Sequence, residues 1–213
     1  MSTPNHKIRL VMELRSSGVT DTRVLSAIER VPREEFTPPS FRDQAYEDTA
    51  LPIGHGQTLS QPTVVGLMSQ ALEPGPRMKV LEVGTGSGYQ AAILAQLCRR
   101  VYTIERHKPL LDEAEARFKK LRLHNITTRL GDGWLGWPEQ APFDRIIVTA
   151  APATVPQTLM DQLAPDGIIV LPLGSEKRSQ RLVRIRKSDS SPTQEDIAAV
   201  RFVPMVKGLP DEA

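Results

Sequence analysis

Three glycines alternate at 84, 86 and 88, with one carboxylate just ahead of them at Glu82 and another at Glu105. Glycine has no Cβ, so its backbone reaches positive φ and lets a bulky ligand approach the main-chain amides at van der Waals distance. That is what a nucleotide-type site requires. The dinucleotide fingerprint places its third glycine three residues after the second, so that helix packs on strand and amides face a pyrophosphate. Tyr89 holds that position, which weighs against a nicotinamide cofactor. A carboxylate ahead of the loop repels phosphate and attracts a cation. S-adenosylmethionine is such a ligand, with a sulfonium and an amino group at one end and an adenosine at the other. Glu105 ends the next apolar run, about 20 residues beyond the first glycine, where an acid in this architecture hydrogen-bonds ribose hydroxyls. Each feature alone has a plain structural reading, as a turn or a strand-end acid. Together they describe a cofactor site.

The elements that must hold these groups follow from the flanking residues. Val80, Leu81 and Val83 suit a strand buried on both faces, and Ala91, Ala92, Leu94, Ala95 and Leu97 suit a helix. The spacing predicts further strands at Val101–Ile104, 125–130, 143–149 and 168–171, with helices over 109–121 and 155–163 between them. Gly131-Asp132-Gly133 then falls at a strand's carboxyl end, where such sheets bind ligands, so Asp132 or its neighbouring amides can meet the adenine; a simple Asp-Gly turn is the alternative. Upstream, helices are expected over about 7–15 and after an Asp21 N-cap as far as Pro32, then an irregular segment through Phe36 and Phe41. Residues 46–61 read as a donor-rich loop, and Ser60, just before Gln61-Pro62, is well placed to cap the helix that follows. Runs at 181–186 and 200–204 are expected to form a closing antiparallel pair. The whole is a doubly wound α/β sheet of mixed direction at one edge, with an N-terminal helical appendage.

Composition narrows the function. The 213 residues suffice for one large domain, and a formal charge of +2 gives no electrostatic case for nucleic acid. Cys98 is the single cysteine and the four histidines are far apart, so neither a thiolate zinc site nor another metal centre is expected. No signal-type leader and no run near the roughly 18 apolar residues of a membrane span is read, which places the chain in the cytoplasm as an expected monomer. Nucleophile-elbow and phosphate-loop patterns are both missing from the sequence.

Ala-Leu-Pro-Ile-Gly-His-Gly-Gln-Thr-Leu-Ser-Gln-Pro (50–62), Val-Leu-Glu-Val-Gly-Thr-Gly-Ser-Gly-Tyr-Gln-Ala-Ala (80–92), Gly-Asp-Gly-Trp (131–134) and Ala-Pro-Phe-Asp-Arg-Ile-Ile-Val-Thr-Ala-Ala (141–151) closely resemble protein-L-isoaspartate O-methyltransferases. Val-Pro-Arg-Glu-Glu-Phe (31–36) and Val-Arg-Phe-Val-Pro-Met (200–205) resemble the same family, so nearly the whole chain is covered. The resemblance implies a Rossmann-like class I S-adenosylmethionine-dependent methyltransferase fold in one domain over 1–213: N-terminal helices and substrate loop at 1–76, cofactor core at 77–175, C-terminal hairpin and tail at 176–213. It implies methyl transfer to the α-carboxylate of L-isoaspartyl residues in damaged proteins and peptides; the ester then closes to a succinimide whose hydrolysis returns some aspartate. It further implies Ser60 as the catalytic residue. Cofactor contacts are implied for Thr58, Leu59, Ser60, Glu82, Gly84, Thr85, Gly86, Ser87, Gly88, Glu105, Asp132 and Gly133, and substrate contacts for Ile53 and Val206. The chain departs from the family pattern at His55 and Thr63, positions that bear on peptide preference. A carboxylate nucleophile is already ionised at neutral pH, so no general base is required and the work left is orientation.

Overall fold

Apolar side chains alternate between two faces along each central strand, and the fold is built on that alternation. Val80, Val101, Ile147, Ile168 and Val170 enter one buried cluster, while Leu81, Val83, Ile104, Ile146, Val148, Ile169 and Leu171 enter the other. A sheet buried on both faces must be covered by helices on both.

The computed structural model describes residues 3–175, 179–188 and 191–210. In chain order the elements are α1 (Thr3–Ser16), α2 (Thr22–Arg30), two short 3-10 turns (Arg33–Phe36 and Pro39–Gln44), β1 (Leu51–Gly54), β2 (Gln57–Leu59) and α3 (Pro62–Leu72). The core follows with β3 (Lys79–Val83), α4 (Tyr89–Ala95), β4 (Arg100–Glu105), α5 (Lys108–Lys120), β5 (Ile126–Leu130), β6 (Phe143–Val148), α6 (Gln157–Asp161) and β7 (Leu163–Leu173). The chain then returns through β8 (Gln180–Arg186) and β9 (Thr193–Val200).

Seven strands form one sheet in the order β5-β4-β3-β6-β7-β8-β9. β3 to β7 are parallel; β8 runs antiparallel to β7, and β9 to β8. Residues of α1 to α5 pack into the first cluster, whereas Leu159 of α6 packs into the second. The winding therefore reverses between β3 and β6. In such sheets the crevice at the carboxyl ends of those strands is the ligand site. Among the described residues no helix is long and apolar enough to cross a membrane.

Most expected elements are present, with corrections. Asp21 caps α2 as expected, its side chain accepting from Arg23 N at 2.8 Å. The first helix starts at Thr3 instead of near 7, and α6 is shorter than 155–163. The donor-rich stretch is a hairpin, β1 pairing with β2 in the register Leu51↔Leu59. The closing pair is also displaced. Its second strand is β9, not 200–204: β9 is a sheet edge whose exposed polar residues hide its character, and the chain beyond it leaves the sheet with only a single bridge, Ala151↔Pro204. Of the 188–195 connection, residues 189 and 190 lie outside the described residues, and 193–195 are already β9.

Candidate functional site

The carboxyl ends of β3, β4, β5 and β6 surround a cavity of about 360 Å³, within the range of small-molecule sites. Its floor is the glycine loop. Gly84 N and Thr85 N both donate to Ile104 O, at 2.8 and 3.2 Å, which pins the loop to β4. Thr149 Oγ1 donates to Gly84 O at 2.7 Å, and a Cβ on Gly84 would sit 2.3 Å from that hydroxyl. Gly88, at φ +91°, would drive a Cβ to 2.7 Å from the Phe118 ring. Close packing thus fixes these two glycines. Gly86 has room for a ligand: its nearest neighbour would be Ile53 Cδ1 at 3.4 Å.

Glu105 lines the cavity and is 5 % exposed. Its Oε2 accepts from Gly86 N at 2.8 Å, and its Oε1 accepts from Arg106 N at 2.8 Å and His107 N at 3.0 Å. A carboxylate offers about four acceptor positions, so one is left to meet a hydroxyl from the cavity. Across the mouth, the His55 ring at the hairpin tip stands 5.5 Å from the His107 ring.

Glu82 is placed differently from the sequence expectation. It is fully buried beneath the loop and outside the cavity wall. Thr103 Oγ1 donates to Glu82 Oε2 and also lies 2.6 Å from Thr85 Oγ1, while Glu82 Oε1 has no partner. Burial, with a smaller push from Glu105, raises the Glu82 pKa from 4.5 to about 8. Burial in this position favours the protonated form of the acid.

Asp132 also turns away from the cavity, which is lined there by Gly131 and Gly133. Its Oδ1 accepts from Trp134 N at 2.9 Å, capping a short 3-10 turn at Gly133–Leu135, and its Oδ2 accepts from Gly208 N at 2.8 Å. The partner of that second bond belongs to a C-terminal strap over 201–209. Ala151 N donates to Val203 O, Met205 N to Ala151 O, and Trp134 Nε1 to Met205 O. Phe202 to Val206 therefore cover one side of the cavity.

The hairpin covers the other side through Thr58, Leu59 and Ser60. Ser60 does not cap α3. The N-cap is Gln61, whose side chain makes no capping bond to the helix, and Asp48 takes over the capping role from 15 residues upstream of Thr63. Asp48 accepts from Thr63 N, Thr63 Oγ1 and Gln61 Nε2 at 2.8, 2.7 and 2.9 Å. Among the described residues Ser60 Oγ has no hydrogen-bond partner. It faces both the cavity and a second, more open groove of about 1060 Å³ lined by Gln61, Val64, Gln180, Arg201 and Phe202.

Of the expected site residues, Thr58, Leu59, Ser60, Gly84, Thr85, Gly86, Ser87, Glu105, Gly133 and Val206 line the cavity, and Ile53 abuts the loop. Glu82, Gly88 and Asp132 support the wall from behind. Sequence reasoning missed Thr149, Asp48 and Arg33, whose partners are distant in sequence.

The family described as protein-L-isoaspartate(D-aspartate) O-methyltransferase matches residues 5–209. The chain belongs to that family. It is 68% identical over 206 residues to the protein-L-isoaspartate O-methyltransferase of Paramagnetospirillum magneticum, covering 96% of each chain, and 63% identical to that of Rhodospirillum centenum, covering 100% of this chain and 97% of the relative. A Plasmodium falciparum structure described as a beta-aspartate methyltransferase in complex with S-adenosyl-L-homocysteine superposes with a TM-score of 0.81 at 26% identity, over 95% of this chain and 99% of that one. Another solved protein-L-isoaspartate O-methyltransferase gives 0.83 at 28% identity, over 93% of this chain and 65% of that one. As a member of the family the chain is a protein-repair methyltransferase that modifies isoaspartyl residues with S-adenosylmethionine as methyl donor. The methyltransferase's cavity fits that donor in size, in the bare backbone at Gly86 and in the acceptor left on Glu105.

Proposed function

We propose that Ser60 is the residue that orients the isoaspartyl α-carboxylate for methylation, and that the cavity and the open groove hold the methyl donor and the damaged peptide respectively. The observation that carries this reading is the position of Ser60 at the junction of the two, with a hydroxyl that no other described residue engages. Bound in the cavity, S-adenosylmethionine would supply an electrophilic methyl on a sulfonium. The chain supplies no base, since the nucleophile is ionised at neutral pH. Its residues orient and shield: Ser60 Oγ donates to the carboxylate, Glu105 accepts from ribose hydroxyls, and the main chain at Thr85, Gly86 and Ser87 approaches the amino-acid end. Gly84 and Gly88 set the loop's course, Glu82 supports it through Thr103, and Asp132 with Gly133 shapes the adenine side. Thr58, Leu59 and Ile53 on the hairpin, and Val206 on the strap, close over the reactants and keep water out.

The same reading treats 1–213 as one domain acting on proteins as a cytoplasmic monomer. A net charge of +2 supports protein partners over nucleic acid, and the exposed large apolar residues are divided among α1, the 130–135 region and the strap. Burial pushes the Cys98 thiol up to about 12, consistent with an unreactive thiol in a reducing compartment.

Labelled S-adenosylmethionine with paired Asp and isoAsp peptides tests the assignment. The parental chain should place base-labile label on the isoAsp peptide alone. S60A should lower kcat roughly tenfold to a thousandfold, as loss of an oriented donor does, with S-adenosylhomocysteine affinity retained. Parental turnover in S60A would remove Ser60 from the mechanism.

A further inference from the structure

Arg33 is the largest side chain that the fold buries completely. Among the described residues it forms no ion pair with a carboxylate, and its Nη1 has no hydrogen-bond partner. Burying a cation without a carboxylate at contact distance is costly, so packing alone does not explain it. What the guanidinium does is join three separate parts of the site. Its Nε donates to Ala45 O at 2.9 Å, in the segment leading to the hairpin, and its Nη2 donates to Ser60 O at 2.8 Å. Its Cζ lies 4.7 Å from the centre of the Tyr89 ring, and Tyr89 is the first residue of α4 directly after the glycine loop. Phe36, from the same 3-10 turn as Arg33, meets that ring edge-on at 5.5 Å.

We propose that Arg33 is a positioning residue for the methyl transfer: its planar fork holds the Ser60 backbone in fixed relation to the glycine loop, so that the Ser60 hydroxyl stands where the carboxylate must be oriented. The proposal rests on the reading of Ser60 given above. Lysine keeps the charge but cannot donate from a rigid fork to two carbonyls while its cation sits over a ring.

R33K, S60A and the double variant make a cycle, read with an isoAsp peptide and with S-adenosylhomocysteine calorimetry. R33K should lower kcat by roughly tenfold to a hundredfold, the scale of a small misplacement, with inhibitor affinity unchanged. In the S60A background the same change should cost no further turnover. Equal losses in both backgrounds, or a parallel fall in inhibitor affinity and kcat, would show that Arg33 acts elsewhere and overturn the proposal while leaving Ser60 in place. S60A with parental turnover would remove the Ser60 reading and this proposal together. If neither R33K nor R33Q folds by circular dichroism with saturating S-adenosylhomocysteine present, Arg33 is a structural pin and the proposal is overturned.

Discussion

Glu82 and Glu105 have the same side chain at the ends of adjacent strands, yet the fold gives them different surroundings. Glu105 borders the cavity and accepts three backbone amides. Glu82 has one hydroxyl partner, and burial raises the pKa at which it gives up its proton to about 8. The unfolded chain releases that proton near 4.5. Between these values unfolding releases a proton, so Glu82 makes stability fall as pH rises through the window and has no effect on the slope above it. E82Q, neutral at every pH, should remove that slope: the two proteins should melt alike near pH 4.5, and the variant at higher temperature at pH 8. Parallel melting profiles would mean that Glu82 is ionised in the folded chain.

The hairpin and α3 act as one element because Asp48 ties them together. Its carboxylate holds both ends of the Gln61-Pro62-Thr63 turn, including the backbone amide of Thr63, which a helix leaves without an intrahelical partner. D48A should therefore cost about 1–2 kcal/mol by urea unfolding, the range for a lost N-cap, and should also lower turnover, because Ser60 borders the freed turn. A stability loss with unchanged kcat would separate the cap from the site. The Thr63 hydroxyl adds a second bond from this residue to the capping acid. A strand at 200–204 was the natural sequence reading because those residues are apolar and basic in turn, while Thr193–Val200 reads as a polar spacer. At a sheet edge the polar segment can pair, and the apolar one is needed over the cavity.

At the scale of the molecule, the cavity is roofed by two covers from opposite ends of the chain. The hairpin enters from the N-terminal side, and the strap returns from β9 across β6. The strap is fastened at its far end by Asp132 and by Arg106 Nε, which donates to Gly208 O at 3.1 Å. D132A should loosen that end and speed S-adenosylhomocysteine release about tenfold, equivalent to about 1.4 kcal/mol of lost cover. Stopped-flow tryptophan fluorescence can read this, because Trp134 bonds the strap directly. An unchanged off-rate would mean that the strap does not hold the ligand in.

The sequence by itself determined the sheet class, the glycine loop, an acid at the end of the next strand and the family. All of these rest on local patterns: apolar runs of strand and helix period, bare backbone at fixed spacing, and an acid one strand later. Only the tertiary structure decided that Glu82 is buried with a raised pKa, that Asp48 caps the helix Ser60 seemed placed to cap, that Asp132 fastens a strap, and that Arg33 carries the Ser60 carbonyl. Each of these depends on a partner at least 12 residues away in the chain or on removal from water, and neither is visible in the order of residues.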